Sequence, residues 1–254
     1  MSKYYQGNKL YEYLDEPFNK HFYWASKDKW ILLYSDTNNN PVLICGLSEY
    51  NNIYLSKEEC DLFKVAKMLS DISRIPFIIA RYEGNTPFKK INYYDDIDKK
   101  FKEIDTGSYK LILKEKGVGV IDGNTVKSVN DKVSSSYHEW QRSVLGKSVT
   151  VVDIDLIRFY KQKINIIYEL KRSKLNLNNW EPFKEDLPNF VLLSRFAKMA
   201  DIDFIILYNE LSSENAQGER IENIEKLKLF SFDEGTSSFH ELGIISKDDF
   251  INNL

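Results

Sequence analysis

The chain runs twice through one order of elements: a hairpin, a helix and a short buried strand. That repetition limits the folds open to it. In the first half KWILLY (29–34) and VLICGL (42–47) flank the polar turn DTNNNP (36–41), and two apolar runs around such a turn predict a hairpin. CDLFKVAKMLSDIS (60–73) follows as a helix and IPFIIARY (75–82) as a strand. In the second half a short helix over Tyr137–Leu145, opened by the serines 134–136, leads into VTVVDIDLIRFY (149–160). That strand forms a hairpin with INIIYELK (164–171). LPNFVLLSRFAKMA (187–200) carries apolar residues at 190, 193, 196, 197 and 200, a helical stripe. IDFIILY (202–208) is too short for a helix and fits a buried strand, and IEKLKLFSF (224–232) follows it.

Laid over each other at an offset of 127, Phe63/Phe190, Ala66/Leu193, Leu69/Phe196 and Ile75/Ile202 match without a gap. Both halves then enter the same tripeptide, Phe-Ile-Ile, at 77–79 and 204–206. A helix followed by a strand in any α/β protein can mimic such a match, so duplication and coincidence both stay open. The expected fold is α/β (α+β): two similar units, each a mixed β-sheet flanked by helices. They span residues 1–125 and 126–254, with the polar stretch DGNTVKSVNDKVSSS (122–136) as boundary.

Composition excludes several classes. No apolar run approaches the roughly 20 residues that span a bilayer. The stretch MSKYYQGNKLYEYLDEPF lacks the apolar core of a secretion signal. Cys45 and Cys60 make no disulfide framework and show no metal-ligand spacing. A cytoplasmic protein without membrane contact is expected. The formal net charge of −3 argues mildly against extensive phosphate binding. Locally the balance reverses: Arg158, Lys161, Lys163, Lys171, Arg172 and Lys174 stand against Glu169 alone.

The chemistry lies where charge interrupts apolar strands. VVDIDLI carries Asp153 and Asp155, and IIYELK carries Glu169 and Lys171. Alternation puts Glu169 and Lys171 on one face and Tyr168 and Leu170 on the other. A buried carboxylate needs a cation or a metal as partner. Two acids converging from neighbouring strands form the oxygen set that Mg²⁺ favours. A lysine two residues on reaches the same space, where it would orient or deprotonate a water, or offset charge on a phosphate.

At these residues the chain resembles the PD-(D/E)XK nuclease superfamily, whose restriction-endonuclease-like signature is an acid on one strand, acid-x-Lys on the next, then a helix and a further strand. The match covers roughly 135–210. The resemblance implies that Asp155 and Glu169 ligate Mg²⁺ (or Mn²⁺), that the Leu170 carbonyl completes the shell, and that Lys171 serves the attacking water. Many members also use an acid on the preceding helix, here Glu139, while Asp153 competes with Asp155 for its role. No proline precedes Asp155, a departure from the pattern that the superfamily often shows. Arg172, Lys174 and Arg195 would contact phosphates, as would Lys184 and Lys198, with solvated charge as the alternative for each. His138 has the position of a further ligand, whereas His21 and His240 read as surface or packing residues. Trp140 and Trp180 would stack on bases or pack in the core.

The implied activity is a metal-dependent endonuclease hydrolysing phosphodiester bonds of nucleic acid, DNA ahead of RNA, with a homodimer or two independent events for double-strand cleavage. In the first half the corresponding positions, Trp30, Gly46 and Ser48, offer no ligands, so a true duplication would make that half a degenerate nuclease-like or recognition unit. Two alternatives stay open: a catalytically inactive protein of this fold that binds nucleic acid or a protein partner, and a structural protein in which 149–171 is a charged hairpin.

Overall fold

The computed structural model describes residues 9–14, 21–25, 28–50, 52, 54–84, 88–95, 97–120, 135–146, 149–214 and 220–252. In chain order these form α1 (Lys9–Leu14), β1 (Phe22–Tyr23), β2 (Lys29–Ser35), β3 (Pro41–Tyr50), α2 (Lys57–Ser73) and β4 (Phe77–Glu83). Next come β5 (Lys90–Asp95), β6 (Lys100–Asp105), α3 (Thr106–Glu115), α4 (Ser136–Val144), β7 (Val151–Asp153) and β8 (Leu156–Tyr160). The chain continues through β9 (Lys163–Ser173), α5 (Leu187–Ala200), β10 (Asp203–Glu214), β11 (Arg220–Asp233), β12 (Ser238–Ser246) and α6 (Lys247–Asn252). The protein is a mixed α and β structure with two six-stranded mixed sheets. Among the described residues no helix is long and apolar enough to cross a membrane.

Two compact units divide the chain: Met1–Tyr4 with Ala25–Asp153, and Tyr5–Trp24 with Ile154–Leu254. The boundary lies at 153/154 rather than 125/126. The physical reason is that β7 closes the first sheet on β2, with Leu32 opposite Asp153. In addition, α4 buries Tyr137 in that unit, where its hydroxyl meets those of Tyr34 and Tyr109. Of the boundary expected from sequence, residues 122–134 lie outside the described residues. The single strand expected over 149–160 is two strands, because at Ile154-Asp155 the chain leaves one sheet for the other.

Each unit has the same strand plan. In the first the order is β6-β5-β4-β3-β2-β7, and in the second β1-β8-β9-β10-β11-β12. In both, an antiparallel hairpin (β2–β3, β8–β9) is followed by a helix and by a strand parallel to the hairpin's second member (β4 on β3, β10 on β9). A pair of antiparallel strands then completes the sheet. The short strand flanking each hairpin comes from the segment that leads into the other unit's hairpin. Thus β1 pairs with β8 and β7 pairs with β2.

Helix α2 begins in a capping box: Glu59 N–H donates to Ser56 Oγ at 3.2 Å, and Ser56 N–H to Glu59 Oε2 at 2.8 Å. The same carboxylate reaches into the sheet, where Ser48 Oγ and Arg81 Nε each donate to Oε1 at 2.7 Å. Glu59, Ser48 and Arg81 are all buried. Burial pushes the Glu59 carboxyl up, but hydrogen bonds from Arg81, Ser56 and Ser48 outweigh it and hold it below the usual carboxylate range. A depressed carboxylate contributes stability above its unfolded pKa, about 4.3, and loses it as the pH falls through the folded value. Glu59→Ala, which strands Arg81 in the core, therefore costs about 3 kcal/mol at pH 7 in urea unfolding. Between pH 7 and pH 3 that difference narrows, because wild type loses its advantage; a pH-independent difference would rule out the carboxylate's charge as its source.

Candidate active site

In the second unit the β8–β9 hairpin pairs Leu156 with Tyr168, so one step beyond that rung Asp155 comes alongside Glu169. The backbone confirms the approach: Leu170 N–H donates to Asp155 Oδ2 at 2.7 Å. This bond holds the carboxylate beside the middle residue of the Glu169-Leu170-Lys171 stretch. Tyr11 fixes the same turn by donating its hydroxyl to the Asp155 carbonyl at 3.3 Å.

Alternation along β9 sorts the side chains as the pleat requires. Ile166, Tyr168 and Leu170 face a core that includes Leu10, Leu14, Leu207 and Phe250, supplied in part by α1 and α6. Glu169 and Lys171 face the opposite side. There α5 brings Phe190, and Trp180 stacks on Tyr208 with centroids 4.1 Å apart. The Lys171 ammonium lies 5.5 Å from the centre of the Phe190 ring.

Lys171 bridges two carboxylates. Its Nζ is 3.0 Å from Glu169 Oε1 and 3.0 Å from Asp186 Oδ2. The Glu169 side chain is 7% exposed and that of Asp186 is 32% exposed, so the bridge runs from the core to the rim. Burial alone would lower the lysine pKa, but the charges and hydrogen bonds of Glu169 and Asp186 outweigh it and raise it well above the ordinary value. Lys171 therefore remains an ammonium and is no base. It can orient a group or offset negative charge.

Asp186 was not among the residues singled out from sequence, although the repeat contains the signal. The offset of 127 carries Glu59 onto Asp186, an acid at the start of the corresponding helix. Asp186 makes no side-chain capping bond to α5; its carboxylate meets Lys171 instead. Strand register supports the same correspondence. Ile79 lies opposite Gly46 and Arg81 opposite Ser48, as Ile206 lies opposite Glu169 and Tyr208 opposite Lys171. In the hairpin Gly46 pairs with Ile31, so the counterpart of Asp155 is Ile31 rather than Trp30. Isoleucine, like tryptophan, offers no ligand.

The donor set is chemically suited to a hard divalent cation: two carboxylates and the Leu170 carbonyl, all oxygen, with water able to complete the shell. Among the described residues no three His, Cys, Asp or Glu side chains stand together so as to hold an ion.

The other residues named from sequence are distributed as follows. Asp153 lies on β7 and Glu139 is exposed on α4, both in the first unit. His138, also on α4, packs edge-on against Trp30 at 5.1 Å and shares a 2.7 Å hydrogen bond between Nδ1 and Ser135 Oγ. Desolvation lowers its pKa to about 4, only partly opposed by Asp153, so it is a neutral packing residue at pH 7. Arg172 pairs with the buried Glu222, and Arg195 Nε donates to Glu234 Oε1 at 2.6 Å, which commits both to contacts within the unit. Lys174, Lys184 and Lys198 are exposed. Trp140 and Trp180 are buried in aromatic clusters and are core residues.

No family model and no curated protein matches the chain. Among solved structures, a sex pheromone precursor from Lactobacillus salivarius subsp. salivarius UCC118 is similar at 10% identity over 80% of this chain, with a TM-score of 0.13. The match covers 63% of that protein's chain, and at this level it bears on neither fold nor function.

Removing the ammonium leaves Glu169 buried beside a second acid. Lys171→Met is expected to lower stability by about 3 kcal/mol, and adding Glu169→Gln should recover part of that loss. Urea denaturation of the two variants checks this. Equal stability of Lys171→Met and wild type would mean that the bridge carries no net energy.

Proposed function

We propose that the second unit is a divalent-metal-dependent phosphodiesterase of the PD-(D/E)XK type, with a restriction-endonuclease-like fold, acting on nucleic acid and on DNA ahead of RNA. One observation carries this: Asp155, just before β8, comes alongside Glu169 on β9, with Lys171 two residues along the same face of β9 as Glu169. The helix and parallel strand that the signature requires, α5 and β10, follow in order.

Asp155, Glu169 and the Leu170 carbonyl would hold Mg²⁺ or Mn²⁺. When bound, such an ion supplies Lewis acidity and lowers the pKa of water. The protein's own part is positional. The Leu170 N–H fixes Asp155, and Asp186 and Glu169 together fix Lys171. From there the ammonium faces a phosphate and offsets charge that grows on its oxygens. Glu139 and Asp153 belong to the first unit. One site per chain nicks one strand, so a double-strand break would need a homodimer or two events.

A second reading has a specific observation behind it. In the first unit Arg81 and Ser48 hold Glu59 as Lys171 holds Asp186, yet no ligand stands at Ile31 or Gly46. The clasp thus also occurs where no such site exists. On that reading the protein binds nucleic acid or a protein partner without cleaving it.

Incubation with plasmid and with structured RNA under Mg²⁺, Mn²⁺ and EDTA separates the two. The phosphodiesterase should cleave only with metal. Asp155→Asn and Glu169→Gln, each checked for folding by circular dichroism, should lower the rate at least about 100-fold. Binding without cleavage by wild type under every metal would sink the enzyme and leave the binding protein.

A further inference from the structure

At the far end of the same hairpin a cleft of about 640 Å³ opens between the β8–β9 turn, the end of α5 and the start of β10. Lys161 and Lys163 from the turn and Lys198 from α5 line it. So does Tyr160, a residue 59% exposed. The Lys161 ammonium stands 5.0 Å from the centre of that ring. An exposed aromatic face beside clustered ammonium groups is the pairing that stacks a base while taking its phosphates.

Two further features give the cleft direction. Asn165 lines it with a side-chain oxygen that is enclosed and accepts no hydrogen bond among the described residues. A buried acceptor in that condition is costly unless a donor arrives. The acids Asp201 and Asp203 also line it, so three lysines against two acids leave one positive charge in excess at the cleft.

We infer that this cleft binds a nucleic-acid strand, with a base on Tyr160, a base-edge donor at Asn165, and backbone phosphates on Lys161, Lys163 and Lys198. It lies six residues along β9 from Glu169, about 20 Å at ~3.3 Å per residue. It would therefore anchor substrate away from the scissile bond. In that respect alone it rests on the phosphodiesterase reading, since a strand can bind here without being cut.

The test is fluorescence anisotropy of full-length protein with a fluorescein-labelled single-stranded oligonucleotide of about 20 nucleotides, in EDTA so that no metal contributes. Tyr160→Ala should weaken binding about tenfold. Lys161→Ala, Lys163→Ala and Lys198→Ala combined should reduce the salt slope by about 2, since each phosphate contact on a single strand contributes ~0.7. Lys64→Ala, on exposed α2 surface of the first unit, should change neither. Wild-type affinity in both cleft variants would overturn the inference. So would failure of wild type to bind the oligonucleotide, or preferential binding of phosphatidylserine vesicles. Strand binding in EDTA without cleavage in Mg²⁺ would leave the cleft standing and remove the phosphodiesterase; cleavage with unaltered binding in the cleft variants would do the reverse.

Discussion

Burying charge in a sheet is expensive, and both units accept that cost at the same place. An acid at the start of the helix after the hairpin reaches back to a cation on the sheet. In the first unit Glu59 meets Arg81, with Ser48 as a further donor. In the second Asp186 meets Lys171, which also holds Glu169. The clasp ties helix to sheet toward the C-terminal ends of the two parallel strands. Breaking either half strands a charge, which is strongly destabilising. What distinguishes the second unit is the extra pair of acids, Asp155 and Glu169, gathered on a framework that the first unit builds without them.

Much of the fold was legible because the periodicity was strong and the turns were marked by their residues. The helix at 187–200 and the hairpin around Lys161–Lys163 follow directly from apolar spacing and a polar break. The identical Phe-Ile-Ile segments occupy the same rung of the two sheets, beside Gly46 and Glu169, a correspondence the sequence offset anticipated. What the sequence concealed was connectivity. VTVVDIDLIRFY reads as one strand because both parts are β-branched and apolar. Nothing in their composition reveals that Val151–Asp153 pairs with Leu32–Tyr34 while Leu156 onward pairs with β9. The two-residue β1 gave no signal at all, since its pairing with Arg158 and Ile157 is a tertiary choice rather than a local propensity.

The candidate site was legible to a similar degree. Charge inside an apolar strand drew attention to Asp155, Glu169 and Lys171, and the hairpin brings the first two alongside each other. Asp153 and Asp155 read as members of one strand, whereas Asp153 pairs with Leu32 on β2 and Asp155 lies just before β8. Arg172 and Arg195 looked like phosphate ligands because their partners, Glu222 and Glu234, lie 50 and 39 residues away in sequence. Long-range ion pairs leave no local trace. Asp186 was concealed for the opposite reason: its counterpart in the repeat, Glu59, is itself masked as an ordinary capping residue.

The most direct measurement is anomalous diffraction from crystals of the protein soaked in Mn²⁺. If Asp155 and Glu169 share one cation, the map will show a peak within about 2.2 Å of an oxygen of each, with Lys171 still resting on Asp186. If instead Glu169 keeps its 3.0 Å contact with Lys171 and no peak appears between the two acids, the pair does not form a metal site and the charged cluster is architecture alone.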